Sequence, residues 1–208
     1  DVTFTGSWYD EALEKEGAQL LIDKGCNLIS QHADSLGAPT ACENAGVPNV
    51  SYNGSTKEAG PNTYIISSRI DWAPYYEMAI KAVMESTEIP ADWTGDLSTG
   101  SVVLTELNTD VAAAGTQEAI DAAMAKLEAG ELHVFDVSTF TTKADDTMNS
   151  FKVDFLKVDA DGHITSYLAD VDTDEAYTGD TEVVENGYFA ESEKRSAPYF
   201  DLQIDGIN

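Results

Sequence analysis

The apolar positions of this chain change period as it is read from the amino end. Val2–Thr5 predicts a short strand. Glu11–Lys24 then places Leu13, Gly17, Leu20 and Leu21 at helical spacing, opens with acids and stops at Gly25, which are the marks of a capped amphipathic helix. Asn27–Gln31 predicts a strand, Ala38–Ala45 a helix closed by Gly46, and Asn49–Asn53 and Thr63–Ser68 two more strands. Asp71 is the expected N-cap of a helix over Trp72–Ser86. Ser101–Glu106 predicts a strand, Gln117–Ala129 a helix ended by Gly130, and His133–Val137 a last strand. Strand and helix in alternation imply right-handed crossovers and a parallel sheet, hence a Rossmann-like α/β fold.

Beyond Thr139 the pattern changes. Phe151–Val158 and Ile164–Ala169 alternate apolar and polar residues around Asp159-Ala160-Asp161-Gly162, a hairpin signal. Asp170–Gly187 is acidic and is expected to be irregular, and Tyr199–Ile207 alternates again as an edge strand would. The chain is therefore expected to divide into an α/β lobe over 1–138 and an antiparallel β annex over 139–208.

Charge narrows the partners. Acidic side chains outnumber basic ones 38 to 11, for a formal charge of −27. Such a field repels nucleic acid and anionic lipid, so no nucleic-acid partner is expected. No apolar run reaches the roughly 18–20 residues of a membrane-spanning helix. The chain opens at Asp1 with neither an initiator Met nor a leader segment, so it is expected to be an excised or processed piece. Cys26 and Cys42 are expected as two thiols serving as small apolar residues, with a disulfide as the alternative.

The candidate chemistry gathers where strands give way to helices, the place where open α/β sheets bind ligands. Trp8, after Gly6 and Ser7, offers an indole that could stack on a flat ring or pack one lobe against the next helix. His32 and Asp34 end the second strand and could read the donor and acceptor edges of a small polar ligand. The same pair could act as acid and base, or Asp34 could simply cap the next helix. Asn53 ends the third strand. Arg69, Asp71 and Trp72 end the fourth, where the guanidinium either binds a ligand or pairs with Asp71 at the surface. Trp72, Tyr75 and Tyr76 form a ligand shelf on one reading and helix core on the other. The three histidines lack any zinc spacing. Asp170, Asp172 and Asp174 imitate a calcium loop, but Glu175 and Thr181 stand where its Gly and closing Glu belong. No metal site, cofactor or phosphate loop is expected.

The strings Gly6-Ser7-Trp8-Tyr9-Asp10, Gln31-His32-Ala33-Asp34-Ser35 and Asp71-Trp72-Ala73-Pro74-Tyr75-Tyr76 resemble the basic membrane protein (BMP) family of ABC-transporter substrate-binding lipoproteins, which includes purine and nucleoside binders. The resemblance runs from Thr5 to about Val137 and resumes over Glu191–Asp205. It implies a type I periplasmic-binding-protein lobe without its amino-terminal companion, and hence an exposed sheet edge that favours self-association. It further implies a non-enzymatic extracytoplasmic protein, periplasmic or lipid-anchored, that captures a purine base or nucleoside and delivers it to an ABC permease. Trp8, His32, Asp34, Asn53, Arg69, Asp71 and Trp72 would line the site. Where nucleoside-binding members carry an Asp, this chain has Asn53, and Ser55 holds the alternative position. A charge-assisted acceptor is therefore absent from both places. An extracellular sensor domain, or an enzyme using His32 and Asp34, are the competing readings.

Overall fold

The structure, a computed structural model, describes residues 1–142, 156–169, 181–189 and 204–207. These fall into two compact units, Asp1–Ala125 and Lys126–Asn208.

The first unit is built on a sheet of four strands, β1 (Ile29–Ser30), β2 (Asn49–Tyr52), β3 (Tyr64–Ile70) and β4 (Val102–Leu104), adjacent in that order. The first three run parallel, with Ser30 opposite Val50 and Tyr52 opposite Ser68. Helix α1 (Glu11–Asp23) starts because the Asp10 carboxylate accepts the Leu13 N–H at 3.0 Å, and Glu11 and Glu14 in its first turn suit the positive end of the helix dipole. Helix α2 (Gly37–Ala45) ends at Gly46, whose φ of 69° is the left-handed closure that glycine allows. The two helices pack on one another over Ala18, Ile29, Ala38, Ala41 and Cys42. Small residues are required here. A Cβ on Gly37 would lie 2.2 Å from the Glu11 carbonyl oxygen. Cys42 is buried, Cys26 is half-buried, and both are free thiols. Helix α3 (Ala73–Glu85) has Pro74 in its first turn and leaves Tyr76, Ile80, Val83 and Met84 exposed. Helix α4 spans Thr116–Glu128.

Two expectations for this unit are corrected. Val2–Thr5 forms no strand, and Val2 and Phe4 are exposed. The fourth strand is antiparallel, with Ile70 opposite Val102. A parallel neighbour would need the chain to return to the amino end of the sheet. Instead Asp96 reverses it beside the end of β3: its carboxylate takes the Thr99 N–H, its carbonyl takes those of Ser101 and Val102, and Asp71 N–H then bonds Ser101 O at 2.8 Å.

The second unit is antiparallel. β5 (Leu156–Val158) pairs with β6 (Ile164–Ala169), which pairs with β7 (Thr181–Glu182), and β8 (Val184–Glu185) pairs with β9 (Tyr188–Phe189). The predicted turn is formed at Asp159–Gly162, where the Asp159 carboxylate accepts the N–H groups of Asp161 and His163 and Gly162 adopts φ 95°. Val137, Leu156, Ile164, Tyr167, Val183 and Phe189 make its core. His133–Val137 is not a strand; Asp136 makes only an isolated bridge to Tyr188. The part of Asp170–Gly187 from Thr181 onward is not irregular either. The Glu182 carboxylate takes the Tyr167 N–H at 2.9 Å and the Val184 N–H at 3.0 Å, so an acid that reads as solvated pins the strands beside buried Val183. Of the tail, Ile204 bridges Thr142. Residues 205–207 form no strand, although the Asp205 N–H bonds the Thr141 carbonyl at 2.9 Å; residues 199–203 and the acids Asp170–Glu175 of the imitation calcium loop lie outside the described residues.

Candidate functional site

Three parallel strands must end on the same side of their sheet, and that edge collects most of the polar and aromatic residues singled out above. β1 runs out into Gln31 and His32, β2 into Asn53, and β3 into Asp71. The edge is stitched by backbone bonds: Gln31 N–H to Val50 O at 3.1 Å and Asn53 N–H to Ser68 O at 2.7 Å. Asn53 sits at φ 65°, a left-handed conformation that Asn tolerates better than most residues, and its side chain is exposed. The Gly6–Asp10 turn joins the same edge because Asp34 donates its N–H to the Trp8 carbonyl at 2.9 Å.

Within that edge the rings form an aromatic wall. His32 lies flat on Tyr52, with centroids 4.2 Å apart and planes inclined by 13°. Trp8 stands 6.1 Å from His32 at 50° and is 73% exposed. An exposed indole beside a stacked imidazole–phenol pair is a surface for a further flat or apolar face. Asp34 is exposed next to it and is free of the capping role open to it: α2 begins at Gly37, and its first N–H is taken by the Ser35 hydroxyl at 3.1 Å.

A second cluster stands at the end of β3. Arg69 and Asp71 pair at 3.2 Å, both partly exposed, so the guanidinium spends a donor within the protein. Asp71 also accepts the Ala73 N–H at 2.9 Å, which makes it a helix-starting residue as expected, although the cap position itself is Trp72. Trp72 is 57% exposed and touches Tyr75 and Tyr76 at 6.4 Å each, while Tyr75 packs on Trp93 at 5.5 Å. Tyr75 is thus helix packing, whereas Trp72 and Tyr76 remain open to solvent. The structure joins Trp8 with His32 and Asp34, and Arg69 with Asp71 next to Trp72, and Asn53 follows β2 between these groups.

A groove of about 600 Å³ opens beside the aromatic wall, between the leading segment, α1 and the outer edge of β1. Trp8, His32 and Glu14 face it near the strand ends, and Phe4, Leu21 and Ile29 make it apolar further down. Its size is within the range of small-molecule sites. Among the described residues no group of three His, Cys, Asp or Glu side chains could hold a metal ion, and no helix is long and apolar enough to cross a membrane.

Sequence reasoning missed Tyr52 and Glu14. Tyr52 is the last residue of a strand whose inward positions are Asn49 and Ser51, so its ring falls on the half-buried face beside His32. The alternation of β2 carries that signal. Glu14 is buried although it lies in a helix whose neighbours are charged; only the helical spacing from Asp10 could have pointed to it.

Known proteins share the sequence pattern and fold of this lobe. The family model for PnrA-like ABC-transporter substrate-binding proteins matches residues 1–131. A putative ABC-transporter glucose-binding protein of Haloferax volcanii is 34% identical over 149 residues, 70% of this chain and 37% of that protein. A purine-binding protein of Brucella abortus is 31% identical over 86 residues, 41% of this chain and 25% of that protein. The chain thus spans well under half the length of the curated relatives it matches. A solved ABC-transporter solute-binding protein of Conexibacter woesei superposes with a TM-score of 0.53 at 27% identity, over 64% of this chain and 45% of that one. A transcriptional activator of the comK gene from Bacillus halodurans, at TM-score 0.52 and 21% identity, shares the fold over 58% of this chain and 43% of its own. With its α/β lobe matched almost throughout, the chain belongs to the PnrA-like family of ABC-transporter substrate-binding proteins.

Proposed function

We propose that this protein captures a small extracytoplasmic solute, a purine base or nucleoside, and presents it to an ABC permease. The observation that carries the reading is the aromatic wall in which Trp8 stands beside His32 and Tyr52 at the carboxyl ends of parallel strands. A flat heteroaromatic ring gains about 0.5–1.5 kcal/mol from an offset stack beyond the burial of its surface. The purine-binding relative supports the same ligand class. Asp34 and Asn53 would bond the polar edges of the base or its sugar, with Trp72 facing the ligand from the end of β3. Arg69 is committed to Asp71 and would reach a ligand only by giving up that pair. One wall is exposed to water, so a second lobe closing over it would complete the site and produce the form that the permease reads. In the absence of that lobe, the exposed face of α3 would favour self-association.

A hexose is the second reading. The haloarchaeal relative is named for glucose, and an indole face also packs against the apolar face of a sugar ring. A thermal-shift panel of adenosine, guanosine, hypoxanthine and glucose on the protein tests both. Stabilisation by the purines supports the first reading. Stabilisation by glucose alone moves the ligand class to sugars and leaves solute capture standing.

A further inference from the structure

Glu14 is 3% exposed, in the first turn of a helix whose neighbouring acids face water. A carboxylate is seldom buried unless something in the interior holds its charge. Here backbone N–H groups do so. One oxygen accepts the Asp10 N–H at 3.0 Å, and the two oxygens share the Ser35 N–H at 3.3 and 3.1 Å. Asp10 closes the Gly6–Asp10 turn that carries Trp8, and Ser35 closes the Gln31–Ser35 segment that carries His32 and Asp34. The side chain therefore bridges the turn that carries Trp8 and the strand end that carries His32.

Two further features surround the bridge. The Asp34 N–H to Trp8 carbonyl bond, at 2.9 Å, runs between the same two segments one residue away. The close approach of the helices places Ser35 within reach: α2 starts at Gly37, where any Cβ would collide with the Glu11 carbonyl oxygen at 2.2 Å. Ser35 is itself 2% exposed, and its hydroxyl starts α2 by accepting the Gly37 N–H. Charge-assisted bonds from a carboxylate to N–H groups are among the stronger hydrogen bonds in proteins.

We infer that Glu14 is a positioning residue of the ligand site, a buried carboxylate that locks the Trp8 turn to the His32–Asp34 strand end and so fixes the spacing of the rings. The inference rests on the reading of that edge as the ligand site, while the bridge itself is independent of which ligand binds. Loss of the carboxylate frees Trp8 to move relative to His32, and a preformed stacking face becomes one that the ligand must order.

The test uses Glu14→Ala, Glu14→Gln and, as control, Ala18→Gly, which weakens the same helix pair away from the bridge. Hydrogen exchange without ligand is read first. In Glu14→Ala, exchange at Asp34 and Ser35 rises about tenfold or more, while amides in the middle of α2 keep their rates. The glutamine variant retains one carbonyl oxygen able to face both donors and lies between Ala and the wild type. Adenosine titration is read second. Affinity falls about tenfold in Glu14→Ala and stays within about twofold in Ala18→Gly, and the loss shrinks when Trp8 is already Ala, because the two act through one face. Unchanged exchange at Asp34 and Ser35, or acceleration spread evenly over α1 and α2, overturns the inference. A wild type indifferent to adenosine refutes the purine reading alone, and the exchange data still decide the role of Glu14.

Discussion

Trp8→Ala separates a ligand-facing aromatic from a structural one. The ring is 73% exposed and among the described residues its ring partner is His32, at 6.1 Å between centroids, so little of the folded state depends on it. A ligand stacked on one face would cover roughly a third of the ~200 Å² that such a side chain offers, about 60–70 Å². At about 25 cal/mol per Å² that burial contributes ~1.6 kcal/mol, and the stacking geometry adds ~0.5–1.5 kcal/mol. Partial cover from His32 and the rehydration of the alanine site reduce the sum. The net loss is then about 1–3 kcal/mol, a factor of roughly 5 to 150 in Kd. Calorimetric titration of adenosine into wild type and variant measures it, with thermal unfolding of both proteins alongside. Affinity should fall while the unfolding midpoint moves by no more than a few degrees, and Trp8→Phe should recover part of the loss. A Kd unchanged within twofold would place Trp8 outside the site. A fall in stability as large as the fall in affinity would make it a packing residue.

Further consequences concern stability. His163 donates through Nδ1 to the carbonyls of Phe140 and Val137 at 2.8 and 2.9 Å, and these bonds, with Asp159 and Asp161 nearby, raise its pKa above the usual value. Its contribution is therefore complete below about pH 6.5 and is lost as the pH rises through the raised folded value; the unfolding midpoint should decline over that interval, and His163→Gln should flatten the decline. A profile identical in the variant would show that the imidazole is not coupled to folding. Asp136 and Asp159 work in the opposite sense, since hydrogen bonds from Ser138 and from the His163 backbone lower their pKa values, so their contribution is lost toward acid. With a formal charge of −27, self-repulsion should fall as the screening length shrinks from ~10 Å at 0.1 M salt to ~3 Å at 1 M. Thermal unfolding in sodium chloride should shift upward by several degrees over that range, and less so at pH 4.5; a flat or falling midpoint would contradict this.

The parts of the fold legible in the sequence are those set by local chemistry. Asp10 caps α1, Gly46 closes α2, and Asp159–Gly162 turns β5 into β6, each through bonds within a few residues. The parallel order of β1, β2 and β3 follows from alternating elements and carries His32, Asn53 and Asp71 to one edge, which Trp8 joins through the Asp34 N–H. What was not legible depends on partners far along the chain. Val2–Thr5 has strand-like composition but joins no ladder, His133–Val137 reaches only the single bridge from Asp136 to Tyr188, and the direction of β4 is decided by the reversal at Asp96. β7 to β9 hide in an acidic run because Glu182 bonds across to Tyr167. At the site, Arg69 resolves into a pair with Asp71, and Tyr52 and Glu14 come to it by stacking and by a bond spanning 21 residues.

The central claim is that the strand-end edge of this lobe takes a purine base or nucleoside. Its most direct test is mass spectrometry of small molecules released by denaturing the protein purified at native abundance from its source, with the Trp8→Ala variant carried through the same steps. A purine base or nucleoside should appear in stoichiometric amount with the wild type and be depleted with the variant. A hexose or an amino acid released in stoichiometric amount, with no purine, would contradict the claim.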